Sequence, residues 1–469
     1  MANGSVPDDV PDVQVFVGDS TACQAMEFGS VIDANENQVP IIAMARKNGH
    51  VDIIEAPSSD LHQESGKPAP SQNAKLLGSI YENRMRVGVE RWVNLKITQR
   101  GVLSCTSGGF FRYVELAQFL LGHAKENKES ISLSSATEEQ LDEAAYKWVV
   151  PGPLHHVAFY PDTDSPTHFA YGGEQVPLSL WSIKKTLAQY NKIAATDAGQ
   201  EDQDGAQLVA EKKRSAASKG GKHRELLFGE LPNDALSLQR HPLIRSIAFV
   251  PSNTPAVTND SIPETTVIVG TKDGVLRVYE PAKKQKHVHE WQVTPKNQGA
   301  IRIMIVSHGD SQTPLLFVGD TARNLYAVNT STGRTLYQYK GKSRRLLTAD
   351  ITGTVSSLLP LRIHAAQGDK TLLLGASLDR LVRLFDTGVP CGNGQWRRGK
   401  TLASYFTGVD SAMALVTDGR RIEQRETPEP DADDDGVWAE MPVVDDDDRN
   451  TSEEEAPQIK RTKRARANS

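Results

Sequence analysis

Cysteine is scarce and scattered. Cys23, Cys105 and Cys391 are the only three, and they stand far apart with no C-x-x-C pair, which excludes both a disulfide framework and a cysteine-built zinc site. A reducing compartment is therefore expected. Long apolar runs are missing too: no segment approaches the roughly 18 continuous apolar residues of a membrane helix. The N-terminus, MANGSVPDDVPD, has neither the basic start nor the apolar stretch of a secretory signal. The chain reads as soluble and intracellular. Catalytic signatures are equally thin, with no H-E-x-x-H, no G-x-S-x-G and no His cluster at metal spacing. His155-His156 is an isolated pair that reads as the start of a strand. Aromatic residues make up 6% of the chain, and none falls into the base-stacking motifs of an RNA-recognition fold, so sequence-specific RNA reading is not indicated.

One enzyme motif is matched in full. Residues 394–401, GQWRRGKT, satisfy G-x-x-x-x-G-K-[ST], the loop that cradles nucleotide phosphates. A working loop of this kind follows a buried strand directly and opens a helix whose N–H groups hold the phosphate. Here residues 387–393 separate the motif from its strand, and TLASYF after it alternates like another strand. No nucleotide, cofactor, metal or small-molecule substrate is expected, and no enzymatic activity.

What the chain does contain is a repeated strand unit. The stretch HHVAFYPDTDSPTHFAYGGEQVPLSLWSI gives a strand at Val157 to Tyr160 and a polar turn. A second strand follows at His168 to Tyr171, then a Gly172-Gly173 turn and a third strand at Pro177 to Trp181; short alternating runs between turn signals are the mark of a meander. A short strand, a Gly-containing turn and a strand ending in an aromatic recur at Thr266 to Glu280, Leu315 to Ala327 and Thr371 to Asp386. Two looser copies lie at Arg91 to Glu115 and Val39 to Ala56. Aromatic positions 279, 326 and 385 stand 47 and 59 residues apart, near the roughly 40–45 of a propeller blade once loop insertions are allowed.

Six units are thus legible. A seventh, ring-closing blade is expected from Val13 to Val17 at one end with Leu402 to Phe406 and Ala412 to Val416 at the other. The fold class follows: an all-β, seven-bladed, WD40-like β-propeller over residues 10–420, with mobile insertions at about 58–74 and 188–224. Stacking sheets radially buries faces that one sheet could not bury alone. Gly172, Gly173, Gly270, Gly319, Gly375 and Ala376 fit a tight turn near a crowded axis, and equally an ordinary hairpin. Between 121 and 147, Thr137 and Gln140 form a capping box that predicts a short helix.

Charge is divided along the chain. The net charge is -6, yet residues 423–469 alone hold 15 acidic and 7 basic side chains. Residues 421–469 are expected to be a disordered acidic tail ending in a basic run, Lys460, Arg461, Lys463, Arg464 and Arg466, that suits nuclear targeting. Within the propeller, basic residues cluster after the third strands. They are Lys184 and Lys185; Lys212, Lys213, Arg214, Lys222 and Arg224; Lys283, Lys284 and Lys286; and Arg397, Arg398 and Lys400. Turns between third and outermost strands fall on one face of such a ring, where convergent positive charge suits a phosphate backbone; a Lys-rich turn kept for solubility explains each cluster singly.

Four segments carry a family resemblance. HFAYGGEQVPLSLW (His168 to Trp181), SCTSGG (Ser104 to Gly109), GTKDGVLRVYE (Gly270 to Glu280) and SLDRLVRLFD (Ser377 to Asp386), with the basic C-terminus, resemble the Nop-seven-associated WD-repeat family of ribosome assembly factors over residues 10–416. The resemblance implies a seven-bladed propeller in the nucleus and nucleolus, bound to precursors of the large (60S) ribosomal subunit, with ribosomal RNA and other assembly factors as partners. It also implies release by an AAA-type ATPase whose activity belongs to the partner. The blades end on Trp-Ser, Tyr-Glu, Tyr-Ala and Phe-Asp instead of a strict Trp-Asp. The alternative is a propeller adaptor of another nuclear complex, of the chromatin or ubiquitin-ligase type.

Overall fold

A computed structural model describes residues 22–408 except 34–35, 57–74, 118, 121–132, 134–135, 189–224, 230, 234–235, 239, 251–262, 296–297, 308–313, 340–350, 366–367 and 392–395. All described residues belong to the first of two units into which the chain divides, Met1–Arg421. They form six four-stranded antiparallel sheets, each with its strands in chain order. Blade 1 is β1 (Cys23–Ile32), β2 (Gln38–Arg46), β3 (His50–Glu55) and β4 (Lys75–Tyr81). Blade 2 is β5 (Trp92–Ile97), β6 (Gly101–Thr106), β7 (Phe110–Glu115) and, after the helix α1 (Glu138–Glu143), β8 (Ala145–Val149). Blade 3 is β9 (His156–Tyr160), β10 (His168–Gly172), β11 (Leu178–Ser182) and β12 (Glu225–Gly229).

Blade 4 is β13 (Ile244–Val250), β14 (Thr266–Thr271), β15 (Val275–Tyr279) and β16 (His289–Gln292). Blade 5 is β17 (Ile301–Ser307), β18 (Leu315–Asp320), β19 (Leu325–Asn329) and β20 (Thr335–Gln338). Blade 6 is β21 (Val355–Ala365), β22 (Gly368–Ser377), β23 (Leu381–Asp386) and β26 (Thr401–Phe406), with a two-stranded hairpin, β24 (Val389–Pro390) and β25 (Trp396–Arg397), set between its last two strands. First strands of successive blades are neighbours from β1 through β5, β9, β13 and β17 to β21. This is the propeller arrangement.

The number of blades differs from expectation. Six are described, and Leu402 to Phe406 does not start a seventh: it pairs with β23, with Leu381 opposite Phe406 and Val382 opposite Tyr405. The reason is local. The hairpin of β24 and β25 takes up the excess chain after Asp386, so Thr401 returns beside Phe385. Val13 to Val17, Ala412 to Val416, the 58–74 insertion, residues 189–224 and the whole 421–469 tail lie outside the described residues.

The middle strands are buried on both faces because each blade is covered by its neighbours. β6, β10 and β18 are buried at every residue. Between blades 2 and 3 the filling is aromatic: Phe111 lies 5.3 Å from Trp148 and 5.1 Å from Phe169, pairs worth about 0.5–1.5 kcal/mol each beyond their buried area.

Gly172, Gly270 and Gly319 lie in strands and serve this stacking. A Cβ on Gly172 would stand 2.7 Å from Ile244 of the next blade, and one on Gly270 would stand 2.5 Å from Ile301. Gly319 faces Ile303 of its own blade and Val355 of the next at 2.9 and 3.3 Å. Of the glycines expected at a tight turn, only Gly173 sits in the hairpin turn. The short helix forms as its sequence predicts: Thr137 accepts from the Gln140 N–H, and the Gln140 side chain accepts from the Thr137 N–H.

Candidate functional site at the two ends of the ring

Because each blade is an up-and-down meander, its connections alternate between the two ends of the ring. One end carries the turns from third to outermost strands; the other carries the turns from second to third strands and the links between blades.

The sequence-predicted basic residues that are described lie on the first end. Lys184 and Lys185 follow β11 on the helical residues 183–188, with Lys184 exposed. Lys283, Lys284 and Lys286 are exposed in the turn between β15 and β16; the ammonium of Lys283 is 2.6 Å from Glu280. Arg397, Arg398 and Lys400 are exposed between β23 and β26. These three groups belong to blades 3, 4 and 6. Lys212, Lys213, Arg214, Lys222 and Arg224 fall outside the described residues, as do Lys460, Arg461, Lys463, Arg464 and Arg466.

The phosphate-loop motif is built as expected on its described side. Arg397 is in β25, Lys400 accepts from the N–H of Asp386 through its carbonyl, and Thr401 opens a strand and not a helix. Among the described residues of the motif no helix begins whose N-terminus would receive a phosphate. His156 starts β9, and its Nδ1 accepts from the N–H of Ile247, 3.3 Å away on the next blade. Burial, and then the charge of Arg91, bring its pKa down to about 4. Among the described residues there is no His, Cys, Asp and Glu group able to hold a metal.

The opposite end holds a cluster that the sequence reading missed. Five of the six first strands carry a bulge near their start, between Cys23 and Ala25, Trp92 and Asn94, Ile244 and Ser246, Ile301 and Ile303, and Val355 and Ser357. A bulge re-aims one side chain out of the ladder. In blades 4 and 5 that residue is Arg245 and Arg302.

Around them the contacts are specific. Arg91, just ahead of β5, donates to the His155 carbonyl at 3.3 Å, and Arg245 lies 3.3 Å from His155 Nδ1. Glu174, in the turn after β10, accepts from Arg245 and from Lys272, both at 3.3 Å. Its pKa is lowered by the Lys272 hydrogen bond and charge. That of Arg91 is lowered by partial desolvation and then by the like charges of Arg245 and Arg302. His155 is pushed down by desolvation, then by Arg245 and Arg91. The available signal was the recurrence of Ile-Arg at the start of two successive blades, Ile244-Arg245 and Ile301-Arg302.

Comparison with known proteins is negative: no family model and no curated protein matches the chain.

Proposed function

We propose that this chain is a non-catalytic scaffold of large-subunit assembly, similar to the Nop-seven-associated WD-repeat factors, bound to nucleolar pre-60S particles and needed for pre-rRNA maturation. One observation carries the reading. The four segments behind the resemblance all occupy the same structural position, the hairpin of second and third strands: SCTSGG in blade 2, HFAYGGEQVPLSLW in blade 3, GTKDGVLRVYE in blade 4 and SLDRLVRLFD in blade 6. Motifs that recur in one hairpin of four blades belong to a single repeat unit, which is what a resemblance to a WD-repeat family requires. In this reading the exposed Lys184, Lys283, Lys284, Arg397, Arg398 and Lys400 contact ribosomal RNA through its phosphates. An AAA-type ATPase detaches the protein, and the basic tail directs it to the nucleus.

The same reading includes a closed, seven-bladed ring. Blade 1 packs one face on blade 2, whereas Met26, Phe28, Ile42, Met44 and Ile54 on its other face are only half-buried. Blade 6 repeats this: Phe385 and Leu373 pack on blade 5, while Leu359, Leu374, Val382 and Leu384 are half-buried and Tyr405 is 68% exposed. Two apolar sheet faces at the two ends of a series of blades call for one more sheet between them. The segments that the sequence offers for it, Val13 to Val17 and Ala412 to Val416, lie outside the described residues.

Depletion of the protein tests the functional reading. Precursors of the large-subunit RNAs should accumulate while small-subunit RNA matures normally; unchanged processing of both would overturn it.

A further inference from the structure

The end of the ring that carries the second-to-third-strand turns has a charge imbalance and an apolar border, both fixed by the fold. Four cations gather here with one engaged carboxylate: Glu174 is held by Arg245 and Lys272, while Arg91 donates to the His155 carbonyl and feels the like charges of Arg245 and Arg302. The other acids near them do not balance the set: Glu90 is held by Arg86 at 2.7 Å, and Asp273 is exposed on the Lys272 turn. Arg91 and Arg302 have no carboxylate partner among the described residues. Arg323 adds a further cation on the equivalent turn of blade 5. It sits at φ 69°, in the position that glycine holds at φ 77° in blade 4, a conformation that costs a non-glycine residue about 1 kcal/mol.

The same connections carry exposed apolar side chains. Val87 and Val89, which lead to Arg91, are 50% and 77% exposed. Leu236 and Leu238, between β12 and β13 and ahead of Arg245, are 78% and 61% exposed. Charge alone would suit a phosphate chain, but phosphodiester offers nothing to Val or Leu. A segment that brings both carboxylates and apolar side chains satisfies both, and the cluster already holds one carboxylate, that of Glu174, on Lys272 and Arg245.

We propose that this end of the ring receives an acidic segment of a partner protein, with Arg91 and Arg302 binding its carboxylates and Val87, Val89, Leu236 and Leu238 covering its apolar residues. The site is separate from the face assigned to RNA and stands or falls without it. Rim charges of this kind steer and orient a partner more than they tighten it, so the complex should weaken with salt.

The test uses the full chain and a fluorescent peptide of about twelve residues alternating Glu and Leu, read by anisotropy. A Gln-for-Glu version and a uridine oligonucleotide of equal length are the controls. Binding of the acidic peptide should fall about threefold to tenfold in the double variant Arg91→Gln, Arg302→Gln, with an unchanged melting temperature. It should tighten about threefold in Glu174→Gln, which removes the competing carboxylate. Should the double variant lose stability, Arg302→Gln alone, at an exposed residue, provides the same comparison.

Three results would overturn the proposal. They are no binding of the acidic peptide to the unaltered chain, equal binding of the Gln peptide, and preference for the oligonucleotide through the same arginines, which would make the site a phosphate receptor.

Discussion

The guanidinium of Arg383 and the carboxylate of Asp379 meet in two parallel hydrogen bonds, 2.8 and 3.0 Å long, inside blade 6. Their side chains are 1% and 9% exposed. Asp379 also accepts from the N–H and hydroxyl of Thr352, on the link into the blade, at 3.1 and 2.9 Å. The pair thus ties a hairpin turn to the connection that precedes the blade. Desolvation alone would raise the Asp379 pKa, but hydrogen bonds from Arg383, Ser377 and Thr352 outweigh it and hold the carboxyl below its usual range.

Asp379→Asn should therefore destabilise the propeller by about 3 kcal/mol, because it leaves a buried cation without its partner. Chemical denaturation measures this. The pH signature has a definite sign. A depressed carboxylate stabilises above its unfolded pKa of about 3.9 and loses that contribution as pH falls toward its folded value. The difference between parent and variant should be constant at neutral pH and shrink below about pH 4.

His156 supplies an acid sensitivity at milder pH. Its folded pKa of about 4 lies below the ordinary histidine value of 6.5, so between those values the unfolded chain takes up a proton that the folded one refuses. Stability should fall by about 2 kcal/mol between pH 7 and pH 5 from this group. His156→Asn, which keeps an acceptor for the Ile247 N–H, should flatten that part of the pH–stability curve.

Gly270→Ala probes the stacking of blades 4 and 5. The new Cβ would stand 2.5 Å from Ile301 and 2.9 Å from Met304, and Ile301 is fully buried. Overpacking of this kind costs about 1–3 kcal/mol. Gly88→Ala, where no atom lies within 4 Å, meets no such clash and serves as the comparison at an open site, its cost limited to its φ of 89°. A melting temperature left unchanged by Gly270→Ala would contradict the stacking account.

Much of the ring was legible because second and third strands are buried, short and joined by tight turns, so their pattern repeats whatever the loops do. Outermost strands were not. β16 (His289–Gln292) and β20 (Thr335–Gln338) are half exposed, which removes the apolar alternation that marks a strand. β26 was readable as a strand, but its partner was not, since only the β24–β25 hairpin returns Thr401 to Phe385. Arg91, Arg245 and Arg302 went unnoticed for a different reason. Bulges set where Arg245 and Arg302 project, and a bulge leaves no spacing signal in a single chain.

The basic face gives a salt-dependence prediction. If Lys184, Lys185, Lys283, Lys284, Arg397 and Arg398 each neutralise a phosphate of an RNA duplex, log K should fall with log salt by up to about 0.9 per contact. Their joint replacement by Ser should flatten the slope. Lys283, already held by Glu280, should contribute least. An unchanged slope would assign these residues to solubility alone.

The measurement that bears most directly on the central claim is sedimentation of a lysate containing the tagged full-length chain. The account predicts migration with large-subunit precursor particles, together with their unprocessed RNA. Recovery only in light, soluble complexes that contain no precursor RNA would contradict it.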